Sequence, residues 1–345
     1  MTDTHDTLLR TPLCDLLGCD QPVLLAGMGG VSCWELAAAV ANAGGYGTLG
    51  MVREDPALIA AEVTALRGAT DRAFAVNLIP AATDPRLLDA QIACCLDLGV
   101  TAFSFFWDVM PDVVARVKRA GCLVLHQVGT AEAARLAEEA GADVIIAQGV
   151  EAGGHVHGRH PAFGLAEQIL AQTDLPVVIS GGIATGEGLA AALAIGADGV
   201  QCGTAFLATR ESFAHPYHKS RIVDSTGDDT VLTDVFVLNW PKGAAVRVIA
   251  NSVTDALEGH YLVHDPDSLP REAIARDGDQ PRLRFSTDSP LRAVTGDLEA
   301  MTLYAGQGAG AIHDIPTAAT RLDAMVAQAG HILNGTFRNG FKAKT

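Results

Sequence analysis

No apolar run in the chain approaches the roughly 18 residues that a membrane span requires, so a membrane-spanning protein is not expected. Clustered lysine or arginine is also missing, and the formal net charge is −16. Nucleic acid and anionic membrane both select basic patches, so neither is an expected partner. There is no Cys-x-x-Cys pair, and the seven cysteines are odd in number, which argues against a disulfide framework and against a structural zinc site. The first six residues, Met-Thr-Asp-Thr-His-Asp, lack the cationic start and apolar segment of a signal peptide. Together these absences predict a cytoplasmic protein without a resident metal.

What is present is ample apolar material. Hydrophobic residues make up 49% of the 345 positions and charged ones 19%, enough for a large core. The 36 glycines are not repetitive; they fall at the ends of apolar runs. Those runs are Pro22–Gly27, Tyr46–Gly50, Phe74–Ile79, Ala102–Phe106, Leu123–Val128, Val144–Gly149, Val177–Gly181 and Gly199–Phe206. Helix-patterned stretches separate them, including Trp34–Ala43, Leu87–Leu98, Pro111–Ala120, Ala131–Ala140 and Gly188–Ile195. Apolar strands alternating with helices mean a parallel sheet buried on both faces, and this many units predict a closed (β/α)8 TIM barrel.

Local signals agree with that architecture. Ser32-x-x-Glu35 reads as a capping box for the first barrel helix. An Ala-Gly-Ala-Asp phrase ends two helices, at Ala140–Asp143 and, as Ile-Gly-Ala-Asp, at Ile195–Asp198. Past about Ser212 the alternation stops, and Asp265–Pro270 and Ala275–Arg284 read as exposed loops. Helical patterning returns at Ile315–Leu333. The expected organisation is a barrel over 1–215, a smaller capping region over 216–310 and a C-terminal helix within 311–345 that packs back on the barrel.

Ligands of such barrels sit at the carboxyl ends of the strands. After the first strand comes Ala26-Gly27-Met28-Gly29-Gly30, which leaves room for a flat ring; after the third comes Asn77. His126-Gln127 and Gln148-Gly-Val-Glu-Ala-Gly-Gly-His155 follow the fifth and sixth. Ser180-Gly181-Gly182 and Gln201-Cys-Gly203-Thr204 follow the last two, where backbone N–H groups can converge on a phosphate. Gly181, Gly182, Gly203 and Thr204 are therefore candidate phosphate ligands, the plainer alternative being that these glycines only permit tight turns.

This order of motifs resembles the nitronate monooxygenase family, and Tyr304-Ala-Gly-Gln-Gly-Ala-Gly310 resembles its C-terminal loop. The resemblance implies FMN across the barrel mouth, with Asn77 and Gln127 near the isoalloxazine and Ala26, Gly27, Met28, Gly154, Ser180 and Gln201 completing the cofactor site. It implies His155 as the catalytic group, a small nitronate and O2 as substrates, and leaves a homodimer open. One stretch departs: where the family often reads Ser-Phe-His-Phe-Gly, this chain has Ser104-Phe105-Phe106-Trp107-Asp108. An FMN-dependent NAD(P)H reductase of quinones or enoyl thioesters is the alternative. A metal hydrolase using His155, His157 and His160, or an FMN-binding protein without catalysis, are further ones. Cys33 near a helix start could carry a lowered pKa or be a core residue. His126 either lines the site or closes the fifth strand, and Glu151 is expected to be held by backbone or a basic partner.

Overall fold

Runs such as Val144-Ile-Ile-Ala-Gln148 have no polar face, and only a strand covered on both sides buries them fully. The computed structural model describes residues 9–339, so the N-terminal hexapeptide read above lies outside the described residues. Nine strands occupy the first two-thirds of the chain: β1 (Val23–Leu25), β2 (Gly47–Gly50), β3 (Phe74–Leu78), β4 (Ala102–Phe106), β5 (Leu123–Val128), β6 (Val144–Gln148), β7 (Gly154–His155), β8 (Val177–Ser180) and β9 (Gly199–Cys202). All but β7 form one parallel sheet in the order β1-β9-β8-β6-β5-β4-β3-β2. Leu25 N donates to Tyr46 O at 2.9 Å and Tyr46 N to Val23 O at 3.0 Å, which joins the two edges. The eight strands thus close into the expected TIM-like barrel.

Helices α1 (Pro12–Leu17), α2 (Trp34–Asn42), α3 (Pro56–Ala69), α4 (Pro85–Asp97), α5 (Pro111–Arg119), α6 (Ala131–Ala140), α7 (Ala162–Leu170), α8 (Gly186–Ala194) and α9 (Thr204–Leu207) accompany these strands. Prolines open α3, α4 and α5, where the missing N–H is harmless. Side chains of Asp55, Asp84 and Thr130 cap α3, α4 and α6. The repeated Gly-Ala-Asp phrase performs the same task twice: Gly141 (φ 104°) and Gly196 (φ 97°) turn the chain out of α6 and α8. Asp143 and Asp198 then accept backbone N–H bonds from Val124 (2.8 Å) and Val177 (3.0 Å), fixing the following strand against its neighbour.

The Ser32/Glu35 capping box does not form. Helix α2 begins at Trp34, whose N–H donates instead to Glu62 Oε2 of α3 at 2.7 Å. Ser32 Oγ accepts from Met28 N at 2.8 Å, bracing the glycine-rich loop after β1, and Glu35 pairs with Arg292 at 3.2 Å. A tertiary contact has taken the place of a local one.

Two apolar layers stabilise the barrel. Inside, Leu13, Cys14 and Leu17 of α1 plug the end opposite the strand carboxyl termini and pack with Leu24, Tyr46, Ile146 and Val178. Outside, strand side chains meet the helices.

Beyond the barrel come α10 (Pro216–Val223), β10 (Thr230–Thr233), β11 (Val246–Ile249), α11 (Ser252–Asp255), β12 (Ala273–Asp277), β13 (Gln280–Leu283), β14 (Thr295–Gly296) and α12 (Ala318–Asn339). Two small sheets run β10-β11-β7 and β13-β12-β14 around a core that includes Val235, Phe236, Val246 and Val248. The stretch Ala275–Arg284, expected to be an exposed loop, is mostly an antiparallel hairpin turned at Gly278 (φ 57°). Its Asp-Gly turn signal was outweighed by surrounding charges. Helix α12 lies against α8, where Gln328 Oε1 accepts from Gly186 N at 2.7 Å. Among the described residues, no helix is long and apolar enough to cross a membrane.

Candidate active site

A cavity of about 400 Å³ opens at the carboxyl ends of the barrel strands. Every residue expected to hold the cofactor or act as the catalytic group lines it: Ala26, Gly27, Met28, Asn77, Gln127, Gly154, His155, Ser180, Gly181, Gly182, Gln201, Gly203 and Thr204. Their glycines serve different ends. A Cβ on Gly27 would stand 2.2 Å from the Asn77 Cβ, so close packing alone requires glycine there. Gly181 (φ 116°) and Gly182 (φ 72°) take left-handed conformations that make the turn. Gly203 has an ordinary φ of −100°, and a Cβ there would meet nothing nearer than Ala26 Cβ and Met28 Sδ, both at 3.6 Å. The protein's own packing gives no reason for a glycine at 203; a side chain would project into cavity space. The loop 304–310 seals this side, with Gly306 N donating to Thr204 Oγ1 at 2.9 Å.

Carboxamides form the cavity floor. Gln201 Nε2 donates to Gln127 Oε1 at 2.6 Å and to Ser180 Oγ at 3.3 Å. Asn77 Nδ2 donates to Ser104 O at 3.0 Å, which orients its carbonyl oxygen. Gln148 Nε2 donates to His155 O at 2.9 Å, and its Oε1 accepts from His157 N at 3.4 Å, so a strand-end side chain sets the loop that carries His155.

That loop is partly a strand. Gly154 and His155 form β7, paired with Arg247 and Val246 of β11. Arg247 Nε also donates to Val150 O at 2.9 Å, and Glu151 accepts from Ala162 N at 3.0 Å. Glu151 is therefore backbone-held, as expected. His155 faces the cavity and stacks on Trp240, with ring centroids 3.7 Å apart and planes 26° apart. Its Nε2 is buried with no hydrogen-bond partner. Burial first, and the Arg53 charge second, push its pKa down to about 3, so the imidazole is neutral at neutral pH. Arg53 lies over the Trp240 ring, 4.1 Å from its centroid. Tyr304, at the start of the 304–310 loop, lines the cavity with its ring 6.0 Å from the His155 ring and donates to Thr287 O at 2.8 Å.

The remaining histidines and Cys33 divide clearly. His126 is buried within β5, edge-on to Phe105, and does not line the cavity. His157 Nε2 lies 3.3 Å from Asp108, and His160 is exposed. No cluster of His, Cys, Asp or Glu among the described residues could hold a metal ion. Burial and the nearby Glu62 push the Cys33 thiol up to about 12, the opposite of an activated thiolate. In the departing stretch at the end of β4, Phe106 lines the cavity, whereas Trp107 (φ 79°) packs behind it on His157.

The nitronate monooxygenase family model matches residues 10–328. The chain belongs to the nitronate monooxygenase family. It is an oxidoreductase of that family, and its relatives differ in what their names say they act on. A Mycobacterium tuberculosis protein named (3aS,4S,5R,7aS)-5-hydroxy-7a-methyl-1-oxo-octahydro-1H-indene-4-carboxyl-CoA dehydrogenase is 33% identical, over 93% of this chain and 96% of its own length. A nitroalkane oxidase from Streptomyces ansochromogenes is 34% identical, with a TM-score of 0.76 over 94% of this chain and 99% of that one. FabK from Thermotoga maritima superposes with a TM-score of 0.82 at 30% identity, over 95% and 99% of the two chains.

Several cavity residues escaped sequence reasoning: Arg53, Asn239, Trp240 and Arg282. Asn239-Trp240-Pro241 falls within the expected 216–310 capping region, and an aromatic directly before a proline was the one available signal.

Proposed function

We propose that the protein is an FMN-dependent oxidoreductase that oxidises small alkyl nitronates with O2. One observation carries this reading: a neutral, unpartnered imidazole nitrogen, His155 Nε2, in the same cavity as the glycine loops after β8 and β9. The residues present suit FMN. Gly181, Gly182, Gly203 and Thr204 would hold its phosphate, and the space a Cβ at 203 would fill supports this. Asn77, Gln127 and Gln201 would meet the polar edge of its ring. Bound FMN would supply the electron acceptor and the chemistry with O2.

The chain's own residues then have defined tasks. A nitronate is already an anion, so His155 has no proton to abstract. As the neutral Nε2–H tautomer it donates a hydrogen bond to a nitro oxygen and fixes the substrate's reacting carbon. Trp240 and Tyr304 exclude water from that carbon.

A second reading, oxidoreduction of a CoA or other acyl thioester with NAD(P)H, is favoured by the M. tuberculosis relative's name and by Phe106-Trp107-Asp108 at the end of β4. Anaerobic mixing of the yellow protein with propyl-1-nitronate, and separately with NADH, tests both. Bleaching by nitronate is expected. Bleaching by NADH with indifference to nitronate would overturn the first reading in favour of the second.

A further inference from the structure

Arg53 is an unusual wall for this cavity. It sits on the loop after β2 at φ 60°, a left-handed conformation that a non-glycine residue adopts only when its surroundings hold it there. Its Nε donates to Ala82 O at 3.2 Å, its Nη1 donates to Asn239 O, and its guanidinium rests on Trp240. Among the described residues it forms no ion pair, and Nη2 has no acceptor. A half-buried guanidinium without a counter-ion is unfavourable unless something anionic joins it.

The other charges near the mouth are engaged. Asp288 is 3.6 Å from Arg282, which also binds Asp277 at 2.7 Å. Glu54 lines the cavity, with its pKa raised by burial and the neighbouring Asp55, and it makes no ion pair with Arg53. Asp288 is within electrostatic reach of Arg53 but pairs with Arg282, so Arg53, beside His155, has no counter-ion in direct contact. The Trp240 indole adds a second clue: its Nε1 is buried with no acceptor, while its ring stacks on His155. Buried indole N–H groups are normally bonded, so an acceptor is missing here as it is at His155 Nε2.

We propose that Arg53 and Trp240 form an anion-recognition subsite that receives the negatively charged oxygens of the substrate, Arg53 as counter-ion and Trp240 Nε1 as hydrogen-bond donor. The inference rests on the proposed function insofar as a nitronate is such an anion, and it names the feature by which the site selects it. Neutral molecules of the same shape gain nothing from Arg53 and leave it unpaired. Holding the guanidinium on the indole fixes its position before the substrate arrives, which limits the ordering lost on binding.

The test uses unreactive probes on the yellow holoprotein: propionate as the anion and propionamide as its neutral counterpart. Binding is read from tryptophan fluorescence and from perturbation of the visible spectrum, so turnover is not needed. Propionate should bind the wild-type protein at least about tenfold more tightly than propionamide, a charge-assisted hydrogen bond being of that size. Arg53→Met should abolish the preference with flavin still bound, and Arg53→Lys should restore part of it. Trp240→Phe, which keeps the stack and removes the N–H, should weaken propionate by about three- to tenfold. Equal binding of the two probes by the wild-type protein, or unchanged propionate affinity in Arg53→Met, would overturn the subsite. Propionate selectivity without turnover of nitronate would leave the subsite standing and remove the nitronate reading. Turnover of nitronate with an unaltered KM in Arg53→Met would do the reverse.

Discussion

On one side of the cavity the wall is backbone, and on the other it is side chains. The loops after β1, β8 and β9 present Gly27, Gly181, Gly182 and Gly203, whereas other segments present His155, Trp240, Tyr304 and Arg282. The first side is made by segments a few residues long, each attached to its own strand. The second is assembled from β7, the 234–245 segment, β13 and the loop that begins at Tyr304. A backbone wall suits a ligand common to many relatives, since it depends on shape and N–H groups. A side-chain wall suits the variable partner, since each residue can change without disturbing the barrel.

The comparison breaks most sharply at His155. His155→Asn should lower turnover by about 10²-fold or more while leaving FMN bound, measured by steady-state kinetics against flavin content. Unchanged turnover would remove the side-chain wall from the chemistry. The backbone wall is broken separately by Gly203→Val. Because a Cβ there meets nothing closer than 3.6 Å, folding should survive. FMN affinity should fall by about tenfold or more, followed by fluorescence titration of the stripped protein. A parallel loss of thermal stability would show that Gly203 serves the fold instead.

Acid offers a smaller and shared effect. Burial lowers His126 to about 4, His218 to about 4 and His155 to about 3. Below the unfolded value of about 6.5 the unfolded chain binds protons that the folded chain does not, so stability falls as pH drops from about 6.5 toward 4 and is retained above it. Thermal unfolding at pH 7.5 and pH 5 should show the loss, and His126→Leu should reduce it. The smallest effect belongs to the cap. Val263 is exposed yet held at φ 77° by Asp234, which accepts from Val263 N and His264 N. Val263→Gly should relieve this and raise stability by up to about 1 kcal/mol, net of glycine's entropy, with no change in turnover.

The same division governs what could be read from sequence. The strands of the barrel were legible because each is a short apolar run, most of them with a glycine stop, and the residues expected to hold the cofactor at their ends reach one cavity. Trp240 and Arg53 were not legible, because nothing near either position announces the partner that gives it meaning. Ser32 and Glu35 show the converse error: a local pattern fit for a capping box was overruled by Glu62 from the next helix. The hairpin at Ala273–Leu283 was hidden because its exposed strands carry charge on both sides of the Asp-Gly turn.

The pairing of His155 with Val246 has an implication for transplantation. A barrel grafted with foreign loops keeps its cofactor wall, since every element of that wall travels with its strand. The imidazole does not travel so simply: its height and tilt are inherited from a ladder whose other rail is Val246–Ile249. Chimeras that exchange β7 without β11 should bind flavin and misaim the histidine, and those that move the two together should carry the donor's reactivity with them.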